Sequence, residues 1–212
     1  MHNLRKRVRS AVCEDVAIVR YDARWPELFD REAAHLRACI PADLICRIEH
    51  FGSTAVPGLA AKPIVDMLVE VSSLHGARIK IPPILQSQGY DYFWRPSFGD
   101  DVPPWYVFFI KRDNRGIRTH HIHMVTRRRI FGDHWDRLLF RDYLISHPRT
   151  ARDYERLKME LAAAHPNNRV AYTSKKTAFI QRITTKAKKS PNQVLQPTAG
   201  RRRKRLKDEY KG

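Results

Sequence analysis

The chain has 212 residues, 42% of them hydrophobic, a composition typical of a soluble globular protein with a core of its own. No apolar run approaches the ~20 residues that a membrane-spanning helix needs, so we expect no membrane association. Cys13, Cys39 and Cys46 have no Cys-x-x-Cys spacing, which argues against a disulfide framework and a zinc site.

The formal net charge of +18 is concentrated at the two ends of the chain. Residues 1–11 carry four basic and no acidic side chains, and residues 186–212 carry ten basic and two acidic ones. We predict a basic extension over 1–13, one folded domain over 14–185 and a disordered basic tail over 186–212. Nucleic-acid binding through the tail is an alternative role rather than the leading prediction, and the absence of a secretory signal favours a reducing, cytoplasmic location.

The first half of the domain alternates strand and helix signals. A short strand is predicted at Val16–Val19, and Trp25-Pro26 opens a helix with apolar residues at helical spacing. The remaining signals predict strands over Ile45–Phe51 and Ile64–Val71, and a short helix from Pro82-Pro83 to about Gln88.

The second half begins with a hairpin and ends in helices. Trp105–Ile110 and Thr119–Val125 read as strands joined through a turn at residues 113–116. From Gly132 the pattern is helical, with breaks at His147-Pro148 and His165-Pro166, and Asn168 is predicted to cap a third helix. Strands followed by consecutive helices predict an α+β fold with a helical C-terminal part.

The first candidate functional motif is Gly52-Ser53, at the end of a predicted strand. Glycine allows the backbone to approach a ligand closely, and a turn with free N–H groups and a serine hydroxyl can hold phosphate oxygens. The same pair can also simply end a strand, because glycine and serine are common turn residues.

The second motif is Asp66, a carboxylate within a run of apolar residues in the next predicted strand. An unpaired buried charge is costly, so a cation must compensate it. Carboxylate oxygens suit Mg²⁺, which often bridges a protein carboxylate and substrate phosphates. The alternative is a salt bridge to a basic side chain such as Lys62.

His121 and His123 are the third motif, because strand side chains alternate and these two share one face. His120 points to the opposite face with Ile122 and Met124. Two imidazoles on one face suit a general base, a metal ligand or a phosphate contact, whereas the structural alternative is a partly exposed edge strand. Further basic candidates for binding a polyphosphate are Lys62, Arg95, Lys111, Arg118 and Arg141.

Together these motifs resemble a known family. The segment Arg47–Asp66 is similar to the GrpB family, as are Tyr21–Pro26, Thr119–Val125, Leu139–Leu144 with His147-Pro148, and the last predicted helix. The resemblance implies a nucleotidyltransferase-like mixed β-sheet with flanking helices. It also implies that Ser53 holds the phosphates of a nucleotide and that strand carboxylates bind two Mg²⁺ ions.

One position departs from the pattern of the nucleotidyltransferase superfamily, in which a second acidic residue follows the first by two positions on the same strand. Here that position is Leu68, and Glu70 lies about 13 Å from Asp66 at ~3.3 Å per residue. Glu49 on the preceding strand is the predicted substitute as a metal ligand. We therefore predict a nucleotidyltransferase that binds a nucleoside triphosphate with Mg²⁺ and transfers a nucleoside monophosphate to an acceptor that the sequence does not name.

In that prediction Asp66, His121 and His123 are catalytic, and Gly52, Ser53, Lys62 and Arg141 bind the nucleotide. The alternative is a non-catalytic nucleotide- or ligand-binding module of the same fold that has lost the second metal carboxylate. The two differ in whether binding needs Mg²⁺.

Overall fold

A five-stranded mixed β-sheet lies at the centre of the computed structural model, which describes residues 17–97 and 102–189. The strand order is β1-β2-β5-β4-β3. The pair β2 and β5 runs parallel, and the other three neighbouring pairs run antiparallel. The strands are β1 (Ile45–Phe51), β2 (Val65–Val71), β3 (Asp91–Pro96), β4 (Trp105–Arg112) and β5 (Arg118–Val125).

Helices cover both faces of the sheet, and the alternation of strand side chains decides which residues each face receives. On one face Met67 and Met124 belong to a core with Leu36 of the first helix and Ile81 of the second. The other face packs against the third helix through Leu68, Phe108 and Leu138, among others. The described helices are α1 (Trp25–Cys39), α2 (Leu74–Gln86), α3 (Gly132–Ser146), α4 (Pro148–Ala164), α5 (Arg169–Lys175) and α6 (Thr177–Lys189).

The C-terminal helices hold the loop between β1 and β2. Val56 and Leu59 of that loop share a third core with residues of α3, α4 and α6, including Leu144, Tyr154 and Ile183. Pro148 begins α4, where its missing N–H costs nothing, and the Asn168 side chain accepts a hydrogen bond from Ala171 N at 2.9 Å to cap α5.

The fold class is confirmed: an α+β domain with a mixed sheet, flanking helices and a helical C-terminal part. The strand predictions over Ile45–Phe51, the hairpin partners and the helix breaks at His147 and His165 agree with the structure to within a few residues. Among the described residues, no helix has both the length and the apolar character that crossing a membrane requires.

Two predictions in the first half were wrong. Pro82 and Pro83 lie inside α2, which begins eight residues earlier behind the capping side chain of Ser73. Burial of Ala77, Ile81 and Leu85 against the sheet outweighs the poor helix propensity of the two prolines. Strand β3 was not predicted, because the polar residues at its two ends hide the strand pattern in the sequence. It is an edge strand, and its pairing with β4 is a tertiary contact.

Three further segments differ from prediction. Val19 forms only an isolated bridge with Ala61, and Val16 lies outside the described residues. The predicted third C-terminal helix is two helices, α5 and α6, separated at Lys176. Residues 186–189, predicted as the start of a disordered tail, still belong to α6, and residues 190–212 lie outside the described part.

Candidate functional site

The bend after β1 brings the backbone of Gly52 against the side chain of Asp66. β1 and β2 pair so that Phe51 is opposite Asp66, which leaves Gly52 beside the carboxylate. A Cβ built on Gly52 would lie 2.4 Å from Asp66 Oδ2, and the backbone has φ of +74°. Only glycine tolerates both conditions, so the structure brings the two predicted motifs together.

Asp66 also contacts His121 on the other neighbouring strand, because β2 and β5 are in register at these residues. His121 Nδ1 lies 3.0 Å from Asp66 Oδ1, and 28% of the Asp66 side chain is exposed. Burial opposes the charge of Asp66, but the hydrogen bond from His121 and the charges of Lys62 and Arg137 hold the pKa of Asp66 below its usual range. Asp66 is therefore ionised at neutral pH, and His121 Nδ1–H donates to it.

The remaining nitrogen of His121 is left without a partner. Burial lowers the pKa of His121 although Asp66 opposes this shift, so the imidazole is neutral at pH 7. With the proton on Nδ1, Nε2 is a hydrogen-bond acceptor, and it is a buried atom that has no partner within residues 17–97 and 102–189. A neutral imidazole oriented by a carboxylate suits a general base.

Two lysines flank the ring of Tyr172 near this carboxylate. Nζ lies 5.0 Å from the ring centroid for Lys62 and 4.2 Å for Lys176, and the charge of Asp66 acts on both. Burial, with the charge of Arg169 in addition, lowers the pKa of Lys62 to about 7 and that of Lys176 to about 8. Neither lysine forms an ion pair with a carboxylate in the described part of the chain.

Positive charge therefore exceeds negative charge around Asp66. Arg118 and Arg169 act electrostatically on both Lys62 and His121. An excess of cations over carboxylates in a partly buried site attracts an anion, and a phosphate chain is the anion whose several oxygens can engage several cations. Within the described residues, the cationic side chains whose charges act on Asp66 include Lys62, Arg137 and Lys176.

The loop that carries Lys62 is fixed from both sides. Ala61 exchanges backbone hydrogen bonds with Val19 at 2.9 and 3.0 Å, and the buried Lys158 of α4 donates to the Ala60 carbonyl. Leu59 packs in the core between this loop and the C-terminal helices. Packing thus places Lys62, which precedes Asp66 by four residues in the chain, next to helix α5.

The bend itself is fixed by side-chain hydrogen bonds. Thr54 is 1% exposed, and its Oγ1 lies 3.0 Å from His50 Nε2 and donates to the Ile64 carbonyl at 3.3 Å. Burial raises the pKa of Tyr154 of α4, and the nearby Ser53 side chain opposes this shift. Ser53 therefore lies next to α4.

His123 lies two residues beyond His121 on the same face, but its surroundings differ. Its ring stacks on Tyr106 with centroids 5.5 Å apart, and Phe108 and Phe51 also contact it. Arg137 Nη1 lies 3.3 Å from His123 Nδ1. Because a guanidinium can only donate, His123 accepts this hydrogen bond as a neutral ring, consistent with a pKa that burial and the charge of Arg137 lower well below the usual value.

Two predicted site residues, Glu49 and Arg141, form a salt bridge with each other. Arg47 donates to Glu49 Oε1 at 2.8 Å, and Arg141 donates to Glu49 Oε2 at 3.0 Å and to the His50 carbonyl at 2.6 Å. Arg141 also donates to Asp142. With both oxygens of Glu49 engaged, the geometry favours a structural ion-pair network over the predicted metal and nucleotide roles.

The donors that remain fit one magnesium ion and not two. Within the described residues there is no group of three or more His, Cys, Asp or Glu side chains able to hold a metal. Asp66 Oδ2 is the carboxylate oxygen left over by His121, and it faces the bend at Gly52. Mg²⁺ commonly takes one or two protein carboxylates and completes its shell with phosphates and water, which this arrangement allows.

Lys111, a predicted polyphosphate-binding candidate, and Glu70, predicted to be too distant to share a metal ion, both lie away from Asp66. Lys111 pairs with Glu32 of α1, beneath the opposite face of the sheet. Glu70, at the far end of β2, lines an open groove of about 560 Å³ together with Thr126 and Arg127. The predicted separation of Glu70 from Asp66 is consistent with this position.

A family model described as GrpB protein matches residues 15–186 of this chain. The chain belongs to the GrpB family. The crystal structure of the conserved protein GrpB from Enterococcus faecalis superposes with a TM-score of 0.68 at 33% identity, over 81% of this chain and 96% of that one.

Relatives of the GrpB family match over a similar span. YqkA of Bacillus subtilis is 36% identical over 82% of this chain, and the chain spans 48% of the length of YqkA. The glutamate-rich protein GrpB of Alkalihalophilus pseudofirmus is 35% identical over 80% of this chain and 94% of its own length. A cytoplasmic RNA terminal U-transferase matches at 16% identity with a TM-score of 0.39, a similarity too low to carry functional information.

Sequence reasoning missed part of this GrpB site. The sequence pattern places Lys176 only within the last predicted helix, and it gives no signal for Arg137 or Arg169. Their spacing from Asp66 in the chain exceeds 70 residues, and long basic side chains are common on helix surfaces. Lys176 follows Tyr172 by four residues, a helical spacing that places a cation beside an aromatic ring and was the available signal.

Proposed function

We propose that this protein binds a nucleoside triphosphate at the bend Gly52-Ser53 and transfers the nucleoside monophosphate to an acceptor hydroxyl. The observation that supports this most is the excess of cations around one carboxylate. Asp66 is outnumbered by basic side chains, and the two lysines beside Tyr172 have no carboxylate partner in the described structure.

Each group at the bend has a role in that proposal. Lys62 and Lys176 hold phosphate oxygens, and Ser53 fixes the phosphate nearest the bend, where Gly52 lets the backbone lie against Asp66. Asp66 Oδ2 would hold one Mg²⁺, which when bound neutralises phosphate charge and orients the phosphates. The basic side chains supply the charge stabilisation that a second ion provides elsewhere.

The transfer step uses the free nitrogen of His121. The acceptor oxygen bonds to the α-phosphorus while the bond from that phosphorus to the pyrophosphate oxygen breaks, and pyrophosphate leaves. The proton of the acceptor hydroxyl passes to His121 Nε2, and the resulting imidazolium is stabilised by Asp66 through Nδ1–H. His123 has no such position, because its Nδ1 already accepts from Arg137.

Binding is tested with a pair of adjacent lysines on α5 and just beyond it. Lys176→Gln is expected to weaken ATP binding by about tenfold or more, since it removes one charge-assisted phosphate contact. Lys175→Gln is the matched control, because Lys175 is the exposed neighbour of Lys176 in the chain. Isothermal titration with ATP and Mg²⁺ measures both, and equal affinity of the two variants would contradict the proposal.

Transfer is tested with ATP labelled at the α-phosphate, Mg²⁺ and a mixture of hydroxyl-bearing metabolites. Asp66→Ala is expected to lower label transfer by about 100-fold, because it removes both the Mg²⁺ ligand and the group that orients His121. Equal transfer by the wild type and this variant would remove Asp66 from the mechanism.

A second candidate function is a non-catalytic nucleotide-binding module. Leu68 replaces the second strand acid, and Glu49 is occupied by two arginines, which together favour this alternative. It predicts ATP binding that is equally tight with and without Mg²⁺ and no label transfer. The transferase proposal predicts binding that Mg²⁺ strengthens.

A further inference from the structure

A second concentration of positive charge lies next to the proposed nucleotide site, against a group of aromatic rings. Arg137 has its guanidinium carbon 5.5 Å from the centroid of Phe51, and Arg95 has its own 5.1 Å from that of Phe108. His123 lies between these rings, with its centroid 4.8 Å from that of Phe108 and 5.3 Å from that of Phe51. Two guanidinium groups thus lie around one neutral histidine.

Among the described residues, no carboxylate lies within ion-pair distance of either arginine, and Asp66 and Asp133 act on Arg137 only at longer range. In the described chain, neither Arg95 nor Arg137 forms an ion pair within 4 Å, and the hydrogen bond of Arg137 is to the nitrogen of His123 at 3.3 Å. The charge of Arg95 adds to burial in lowering the pKa of Arg137. Like charges in a partly buried place are costly, and such an arrangement is expected where a ligand supplies the missing charge.

A buried polar atom nearby is also unmatched. His134 of α3 is 1% exposed, its ring centroid lies 4.7 Å from that of Tyr106, and its Nε2 has no hydrogen-bond partner within the described residues. Burial, with the charges of Arg137 and Arg95 in addition, lowers the pKa of His134 to about 2, so the ring adds no positive charge. The cluster is therefore two arginines with unused donors above neutral aromatic and imidazole rings.

We propose that Arg95 and Arg137 bind the acceptor substrate through a carboxylate or phosphate group of that acceptor. That the bound anion belongs to the acceptor rests on the proposed transferase function. Anion binding by Arg95 and Arg137 does not depend on that function. Guanidinium groups bind both oxyanions in a forked geometry that lysine does not offer.

The position of the cluster also limits the size of the acceptor. His121 and His123 are two residues apart on β5, so their side chains are separated by roughly 7 Å along the strand. The charge of Arg137 contributes to the low pKa of Asp66, which places the cluster within electrostatic reach of the nucleotide site. A small molecule with its hydroxyl at His121 Nε2 and its anionic group at Arg137 spans that separation.

The test titrates a simple anion into protein whose nucleotide site is already filled. Full-length protein is saturated with Mg²⁺ and a non-hydrolysable ATP analogue, and inorganic phosphate or succinate is then added in a calorimeter. We expect binding of at least one of the two anions, weakened about tenfold or more in Arg137→Gln and in Arg95→Gln. Arg182→Gln is the control, because Arg182 likewise lies over a phenylalanine ring, 5.0 Å from the centroid of Phe179, outside the cluster.

The outcomes separate this proposal from the proposed function. Unchanged anion affinity in both cluster variants, or no binding of either anion by the wild type, overturns the acceptor site. Loss of nucleotide binding in Arg137→Gln would overturn it as well, by placing Arg137 in the nucleotide pocket. If the wild type fails to bind the nucleotide but still binds an anion through Arg137, the anion site stands and the transferase proposal falls. Comparing phosphate with succinate identifies which oxyanion the acceptor carries.

Discussion

Glu32 of α1 and Asp66 of β2 are acidic side chains that lie on opposite faces of the same sheet. They differ in how far the neighbouring cations balance their negative charge. Glu32 is 3% exposed, with the Tyr90 hydroxyl donating to Oε1 at 2.6 Å and Lys111 donating to Oε2. One carboxylate, one ammonium and one hydroxyl satisfy one another there. Asp66 instead has one hydrogen bond from His121 and a surplus of basic side chains around it.

The same contrast occurs within helix α3. Arg141 is held by Glu49, Asp142 and a backbone carbonyl, whereas within residues 17–97 and 102–189 the hydrogen bond of Arg137, one turn earlier, is to a histidine nitrogen. Charged side chains that are paired with opposite charges stabilise the fold and do not require a ligand to neutralise them. Unbalanced groups reduce stability unless something else binds, so the imbalance is what distinguishes a candidate site from a structural ion pair.

The largest effect on stability is expected from breaking the balanced pair. Lys111→Met leaves Glu32 buried with only Tyr90 as a partner and should lower the free energy of unfolding by about 3 kcal/mol. Urea denaturation at pH 7 measures the change. A loss below about 1 kcal/mol would show that Glu32 does not depend on Lys111, and the contrast with Asp66 would weaken.

Gly52→Ala tests the close approach of the bend to Asp66. We expect a loss of about 3 kcal/mol, because the new Cβ meets Asp66 Oδ2 and the backbone has φ of +74°. Gly58→Ala is the matched control in the same loop, since φ there is +77° but nothing lies within 4 Å of the Cβ position. It should cost about 1 kcal/mol from backbone strain alone. Equal losses in the two variants would mean that Asp66 moves aside freely.

The unbalanced site should make ATP binding depend on pH. In the free protein the pKa is about 7 for Lys62 and about 8 for Lys176, and a bound phosphate chain favours the charged form of both. Binding at pH 8 should therefore take up protons, and ATP affinity should fall by about 100-fold or more between pH 7 and pH 9 if both lysines contact phosphate. Calorimetry in buffers of different ionisation enthalpy measures the proton uptake. Affinity independent of pH would argue that neither lysine touches phosphate.

The smallest expected effect is a gain in stability from removing an unbalanced cation. Lys176 has a pKa near 8 in the folded protein against 10.5 in the unfolded chain, so its charge opposes folding at neutral pH. The unfolded chain binds more protons between those values, so this residue makes stability rise with pH there. Lys176→Met should raise the free energy of unfolding by about 1 kcal/mol at pH 7 and by less at pH 10. A destabilised variant at pH 7 would show that Lys176 is a structural residue.

Local signals predicted much of the fold. The apolar runs of β1 and β2, the turn between β4 and β5 and the proline breaks before α4 act through neighbouring residues, so they are visible in the sequence. The start of α2 and the existence of β3 were missed, because burial against the sheet decides the first and pairing with β4 decides the second.

The candidate site divides in the same way. Gly52-Ser53, Asp66 and the face shared by His121 and His123 could be predicted, because strand alternation and turn chemistry are properties of short segments. The partners of Glu49 could not, since Arg141 is 92 residues away in the chain and meets it only when α3 packs on β1.

The sequence by itself determined the strands β1, β2, β4 and β5, the glycine bend and the isolated acid on β2, because periodicity and turn chemistry are local. Only the tertiary structure decided which charges are neutralised. Coulomb interactions depend on distance in space, and packing brought Lys176 and Arg137 near Asp66 while it matched Arg141 with Glu49 and Lys111 with Glu32.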